Sequence, residues 1–575
     1  MKKDPYISIR SHEPPTHWRS MEHRDGDESV TKGIDLEFTS SPSGWSRRDT
    51  FKIGGASIAL GMLSACKLRR PEEGILPFVQ MPENVIPGVR MVYATATQRS
   101  QGALGLLVEA HEGRPTKIEG NPNHPSSLGA TDVWAQAEIM RLYDPDRARH
   151  PLKSAQAATW AEWDTAAAEL TSRFGANGGQ GLAILAETVT GPTSERLLGV
   201  IQQKMPQAKI YRFDRLAPVN AMAGAELAYG PGARAHYDLT NVKTVFSLEA
   251  DFLISGPDAL KHARAWGRSR APQGAADVGK MKRLYMSEAI FSGTGTNADH
   301  RLRRSSSQQV EVLKALAAAL TRNGFAIAPE LSSGVTLDDN AAKFVEAAAK
   351  DLAANRGKAV IFVGENQVPA VHALGLAINV ALGAVESGAM SITGGRPLGT
   401  DGIEALVAAL NGGQVDTLFI LDGNPLYAAP GALGFATAMA KAKTVVHTGI
   451  LPDETGLAAG WHLPSAHFLE VWGDAEGWDG TTSIVQPLIL PLHSARATTQ
   501  ILAQIAGMTV MGADKELVEN TWRAEGMPLH STKAWRKALH DGLITGMARS
   551  PEMRADVNTA GIVEALGRVT VKAPT

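Results

Sequence analysis

The sequence predicts an α/β chain with mainly parallel sheets, divided among several domains. Three observations predict it. The chain has 575 residues, too many for one hydrophobic core and enough for roughly three or four structural units. From about Trp160 onward, short apolar runs alternate with alanine-rich stretches of helical length, the pattern of strands joined by crossover helices. Ahead of that point lies a shorter stretch that reads as a hairpin, a small β-rich unit of its own.

In chain order, residues 1–45 are polar and charged and read as an extension without regular structure. Residues 46–66 read as an export signal and 67–90 as an extended linker, because Pro71, Pro77, Pro82 and Pro87 block regular structure. Residues 91–155 form the β-rich domain, with Leu106–Ala110 a strand, His111–Pro115 a turn and Thr116–Glu119 the returning strand. Residues 156–335 and 336–510 are read as two α/β domains. The first holds a helix at Ala161–Phe174, a strand at Gly181–Ala186, a helix at Ser194–Lys204, a strand at Val242–Leu248 and a helix at Val310–Arg322. The second holds strands at Lys358–Gly364, Asp416–Leu421 and Thr444–Val446, with helices at Ala370–Leu382 and Gly431–Lys441. Residues 511–575 are mainly helical.

The signal is read from Ser46-Arg47-Arg48-Asp49-Thr50-Phe51-Lys52 and the 13-residue apolar segment Ile53–Ala65 that follows. Arg47 and Arg48 resemble the pair of a twin-arginine (Tat) signal, with Thr50 standing where an apolar or aromatic residue is usual. Leu63-Ser64-Ala65-Cys66 resembles a bacterial lipobox, in which the cysteine sulfur receives a diacylglycerol. The other reading of Cys66 is a buried small residue. Lys67, Arg69 and Arg70 directly after it favour a chain leaving a membrane, and two acyl chains anchor a protein stably. The segment is too short to span a bilayer as a helix.

Composition excludes several classes. With 57 basic and 59 acidic side chains the formal net charge is -2, so no overall field recruits nucleic acid. Cys66 is the single cysteine. It rules out an internal disulfide, a thiolate-held iron–sulfur cluster, a C-x-x-C-H haem attachment and a thiolate zinc site within this chain. Neither a G-x-S-x-G elbow nor a phosphate-binding P-loop is present. Gly394-Gly395-Arg396-Pro397-Leu398-Gly399 is glycine-rich but is not expected between a strand and a helix, as a dinucleotide loop requires. His462 and His467 are five apart, a spacing that favours structural histidines over a helical metal pair. Asp453-Glu454-Thr455 reads as a solvated loop or a capped helix start.

Three segments carry a family resemblance. Val108–Pro125, with Leu142-Tyr143-Asp144-Pro145-Asp146-Arg147, resembles the leading domain of the molybdopterin oxidoreductases of the DMSO reductase type. Asp416–Pro425 ends in Gly423-Asn424-Pro425, a turn that in this family borders the pterin nucleotide at a strand's carboxyl end. Leu463-Pro464-Ser465-Ala466-His467-Phe468-Leu469-Glu470 is similar to the family's late segment. Within the family, Trp18-Arg19-Ser20, Leu248–Leu253, Ala298–Leu302, Glu470–Asp474 and Ser483–Ile489 resemble the B subunit of bacterial alternative complex III.

The resemblance implies a multidomain shell of the DMSO reductase type. The chain departs from active members in lacking cluster-ligating cysteines between Met91 and Pro151. It is also expected to lack the terminal β-barrel that clamps the nucleotide. No catalytic, cofactor or metal residues are therefore expected, and the crevice near Gly423, Asn424 and Pro425 is read as vestigial. A serine or aspartate stays open as a molybdenum ligand. The role implied is a non-catalytic scaffold in a quinol-oxidising complex on the periplasmic face of the membrane. Its partners would be an iron–sulfur protein, multihaem cytochrome c subunits carrying haem c, and integral membrane quinol-oxidising subunits. Two other readings stay open: an active molybdenum or tungsten oxidoreductase, and a periplasmic ligand-binding protein using the crevice near Gly423.

Overall fold

The computed structural model describes residues 86, 88–188, 191–398, 401–508 and 514–571. Arg47, Arg48, Cys66, Trp18-Arg19-Ser20, the polar extension and most of the Pro-rich linker lie outside the described residues.

The β-rich unit is a three-stranded antiparallel sheet in which Leu104–His111 lies between Met91–Thr97 and Arg114–Gly120. Glu112 and Gly113 have φ of 52° and 84°. A two-residue turn with positive φ at both positions matches the twist of its flanking strands, which is why the hairpin closes at Glu-Gly. Leu106, Val108 and Ile118 point to a small core completed by Ala135 and Leu142 of helix Val133–Leu142 and by Leu469.

The largest sheet has seven strands. Trp461–Pro464, Thr444–Gly449, Thr417–Leu421, Leu182–Ala186 and Lys209–Arg212 run parallel in that order, and Leu152–Lys153 adds antiparallel beside Trp461–Pro464. Successive side chains of a strand face opposite sides, and both sides here are apolar. Leu182, Ile184 and Phe419 pack on helices Trp160–Ala176, Pro192–Lys204 and Thr498–Ile505. Ala183, Leu185, Leu418 and Ile420 pack on Ile403–Asn411 and Phe435–Met439. Burial on both faces explains the nearly continuous apolar strands of a parallel sheet. Burying Phe419, whose ring stands edge-on to Trp163, contributes about 1.5–3 kcal/mol.

The second sheet has four parallel strands in the order His300–Arg303, Arg283–Glu288, Thr244–Leu248, Ala359–Val363. Helices Gln309–Arg322, Asp339–Ala354 and Pro369–Ala381 share its core. The α/β architecture with mainly parallel sheets is thus as the sequence predicts, and among the described residues no sheet closes into a barrel.

Three expectations change in detail. Thr417–Leu421 pairs with Leu182–Ala186 and Ala359–Val363 pairs with Thr244–Leu248, so both sheets draw strands from either side of residue 335, and a division at 335/336 follows no sheet boundary. The helix expected over Gly431–Lys441 is broken into a 3-10 turn at Gly431–Leu433 and a helix at Phe435–Met439, because Gly434 takes the left-handed conformation at φ 60°. The glycine-rich segment after Gly394 does lie between a strand, Met390–Gly394, and a helix, Ile403–Asn411. That strand, however, pairs antiparallel with Ala233–Tyr237, outside the parallel setting of a dinucleotide loop. No helix among the described residues is long and apolar enough to cross a membrane.

Candidate functional site

The three segments that carry the resemblance meet in space. Arg147 ends the first and Glu470 the third, and they form a fully buried bidentate pair with N–O distances of 2.9 and 2.6 Å. Burial opposes the charge on Glu470. The Arg147 guanidinium and the N–H groups of Leu492 and His467 outweigh it and hold the carboxyl below the usual range. Ser465, also in the third segment, donates at 2.6 Å to Asp422 in the second.

Asp422 takes the left-handed conformation at φ 61° directly after strand Thr417–Leu421. Its carboxylate also accepts from Thr498 Oγ1 at 2.6 Å and Thr448 Oγ1 at 3.2 Å. The turn that follows is stitched to its neighbours. His447 Nε2 lies 2.9 Å from the Gly423 carbonyl. Asn424 Nδ2 donates to Glu454 at 2.7 Å, and Asn424 Oδ1 accepts from Thr455 Oγ1 at 2.7 Å. Pro425 opens helix Pro425–Ala428, where its missing N–H is no loss. At the same sheet edge, burial and the neighbouring Asp214 and Asp422 carboxylates push Glu187 up to about 8, and Asp214 Oδ2 is buried without a hydrogen-bond partner.

The histidines singled out in the sequence are placed apart. His462 meets His447 across paired strands, Nδ1 to Nδ1 at 3.0 Å, and burial followed by the His447 charge pushes it down to about 3. His467 lies 2.9 Å from Glu138 of helix Val133–Leu142. Among the described residues no three His, Cys, Asp or Glu side chains converge to hold a metal ion. Asp453 caps helix Glu454–Ala458 by accepting from Gly456 N, as its position before that helix implies. Arg396 of the glycine-rich loop donates to the Thr188 carbonyl.

Sequence reasoning missed a cavity of about 250 Å³ at the carboxyl ends of strands Thr244–Leu248 and Ala359–Val363, the position at which open parallel sheets bind ligands. Phe252, Phe362, Tyr237 and Trp478 supply aromatic walls. Phe252 stacks on Phe362 at 4.3 Å with the rings 6° apart. The strand-end loops cross so closely that a Cβ on Gly364 would sit 2.4 Å from the Glu249 carbonyl oxygen. Glu249 and Asp258, both in the wall, have φ of 58° and 61°. Such left-handed non-glycine residues cost energy and cluster at binding sites. His262 and His372 lie in the wall, 3% and 6% exposed, and neither His262 Nδ1 nor His372 Nε2 has a hydrogen-bond partner. Burial pushes His372 down to about 4 and lowers His262 as well, which favours the neutral ring in both. The one signal in the sequence was Leu248–Leu253, whose Glu249–Phe252 portion forms part of the wall.

Beyond Trp478 lies a smaller cleft of about 100 Å³ that includes Arg234, Arg396 and Arg549. Each of these has a carboxylate partner, Glu226, Glu195 and Glu476 respectively.

These residues do not fit a molybdenum–pterin nucleotide. The polar side-chain atoms of the Asn424 turn are paired within the protein, the large cavity has carboxylates but no lysine or arginine in its wall to meet a pyrophosphate, and the arginines of the smaller cleft each face a carboxylate.

No family model matches the chain. Over 477 residues it is 26% identical to the menaquinone reductase, molybdopterin-binding-like subunit, of Nitratidesulfovibrio vulgaris (strain Hildenborough), covering 74% of this chain. The chain spans 66% of that relative's length. Among solved structures it is similar to acetylene hydratase from Pelobacter acetylenicus, with a TM-score of 0.55, 12% identity, and coverage of 72% of this chain and 69% of that one. At that identity the likeness is one of fold alone. In sequence the chain is thus similar to a subunit named as molybdopterin-binding-like, and in fold to acetylene hydratase.

Proposed function

We propose that this chain is a non-catalytic scaffold subunit of a membrane-associated quinone or quinol oxidoreductase, of the alternative complex III type. The observation that carries the reading is the state of the Gly423-Asn424-Pro425 turn. Its side-chain amide and the Gly423 carbonyl are bonded within the protein, to Glu454, Thr455 and His447, as suits a fold kept for its surfaces. Similarity to a subunit named for menaquinone reductase supports the respiratory setting. Exposed Val133, Trp134 and Met140 on one helix, with exposed Leu490 elsewhere on the surface, supply apolar area of the kind partner subunits cover.

In this reading the chain carries no molybdenum, tungsten, haem or iron–sulfur centre. It supports an iron–sulfur partner and multihaem cytochrome c subunits beside membrane subunits that oxidise quinol. Arg47 and Arg48 direct Tat export, and acylated Cys66 anchors the chain at the periplasmic face. The test is elemental analysis of the complex purified gently from membranes. Iron with haem-bearing and iron–sulfur partners, without molybdenum or tungsten, is the expected result. Stoichiometric molybdenum or tungsten tracking with this chain overturns the reading in favour of an active oxidoreductase. Replacing Arg47 and Arg48 by Lys is expected to strand both this chain and the iron–sulfur partner in the cytoplasm.

A further inference from the structure

We propose that the 250 Å³ cavity at the carboxyl edge of the four-stranded sheet is a binding site for a small organic cation, an ammonium or amidinium group carried on a compact aromatic or alkyl body. The inference does not depend on the scaffold reading, since it concerns a different sheet edge and different residues.

Charge is the first argument. Glu249, Asp251, Asp258 and Glu365 line the cavity, and no lysine or arginine does. The cations these acids feel, Lys261 near Asp258 and Arg215 near Glu365, stand outside the wall. Two of the four carboxylates are already occupied. Glu249 accepts from Ser306 Oγ and Gln367 Nε2 at 2.7 and 2.8 Å, and Asp251 accepts from Thr294 N at 2.7 Å. Asp258 is different. Burial opposes its charge, but His236, whose Nδ1 is 3.8 Å away, and Lys261 outweigh it and hold the carboxyl below the usual range. Its side chain is only 9% exposed, so Asp258 is a nearly buried carboxylate in the wall that, among the described residues, receives no direct hydrogen bond from a lysine or arginine, and buried charges are costly unless paired.

Shape and polarity supply the second argument. The aromatic faces of Trp478, Tyr237, Phe252 and Phe362 in the wall suit a cation, which the negative face of a ring attracts. His372 and His262 offer ring nitrogens without partners, able to receive the N–H groups of an ammonium or amidinium in the appropriate tautomer. The volume lies below the roughly 300–1,000 Å³ usual for drug-sized ligands, which restricts the occupant to a compact molecule. A metal ion is the poorer candidate, because no three of these side chains converge at ligating distance among the described residues. A phosphate-bearing nucleotide would meet the like charge of Glu249, Asp251 and Asp258.

The experiment is calorimetric titration of the full chain with benzylammonium, and in parallel with its neutral and anionic counterparts, benzyl alcohol and benzoate, and with inorganic pyrophosphate. Benzylammonium is expected to bind one site at least about tenfold more tightly than the other three. Asp258→Asn keeps a side chain that tolerates the left-handed backbone and is expected to weaken benzylammonium about tenfold while leaving benzyl alcohol unchanged. Ala221→Leu, which places bulk in the cavity wall, is expected to abolish binding of all probes there. Binding of benzoate or pyrophosphate as tightly as benzylammonium overturns the proposal. So does the absence of benzylammonium binding, or affinity that neither substitution alters.

Discussion

The two parallel sheets end differently. At the carboxyl edge of the seven-stranded sheet, polar groups are tied to one another: Asp422 receives three hydroxyls, Asn424 is bonded at both ends of its amide, and Arg147 clamps Glu470 nearby in the chain's third dimension. At the carboxyl edge of the four-stranded sheet, an equivalent left-handed residue, Glu249, leads into a hollow with unpartnered ring nitrogens and a nearly buried aspartate. One fold element repeated in one chain has thus been put to two uses, bracing in one copy and enclosure in the other. Substitutions at the first edge should therefore be read out as stability, and those at the second as binding as well as stability.

The largest expected effect comes from breaking the brace. Arg147→Met leaves Glu470 charged and buried, and denaturant unfolding should show a loss of about 3–5 kcal/mol. A loss below about 0.5 kcal/mol would remove the distinction between the two edges.

The pH dependence should separate the edges by sign. Glu187 at the braced edge has its folded pKa raised to about 8, so its stabilising contribution is complete below the unfolded carboxyl value near 4.5 and is lost as pH rises through 8. His372 at the hollow edge is depressed from 6.5 to about 4. Its contribution is complete above 6.5 and is lost as pH falls towards 4. Melting temperatures across pH 4–9 should show Glu187→Gln flattening the alkaline limb and His372→Gln flattening the acid limb, each leaving the other limb in place. A shared response of both limbs to either substitution would mean that the edges are not independent.

Smaller again is Asp422→Asn. Asn tolerates the left-handed backbone, but trading the carboxylate for an amide weakens bonds from Ser465, Thr448 and Thr498, and about 1 kcal/mol of stability should go. The smallest stability change is expected for Ala221→Leu in the hollow, within about 1 kcal/mol by chemical denaturation, because the added side chain has space to enter. A change several times larger would show the hollow to be less accommodating than its volume implies.

The layered architecture was legible in the sequence where each strand was an unbroken apolar run. Leu182–Ala186, Ala359–Val363 and Thr417–Leu421 fall within a residue or so of the expected bounds. Trp461–Pro464 escaped notice because a strand of four that ends in proline and carries a histidine lacks that pattern. The braced site was half legible. The segments containing Arg147, Asp422 and Glu470 stood out, but Arg147 meets Glu470 across 323 positions and Asp422 meets Ser465 across 43, distances that no local pattern spans. The hollow was almost wholly illegible. Its wall runs from Pro218 to Trp478 in separate short pieces, and His372 sits in an apolar helix where nothing distinguishes it from a packed side chain. The histidine pairings, His447 with His462 and Glu138 with His467, came from strand register and helix docking rather than from spacing along the chain.

Trp478 has a consequence of its own. Its indole forms part of the large cavity on one side and of the arginine-bearing cleft on the other, held in place by an N–H donated to the Ala235 carbonyl at 3.1 Å. It is a party wall. Any shift of the ring enlarges one chamber at the other's expense, so a guest that pushes the indole outward presses on Arg234, whose guanidinium lies 5.9 Å from the ring centre. The emission of that one tryptophan would then record traffic in two rooms at once.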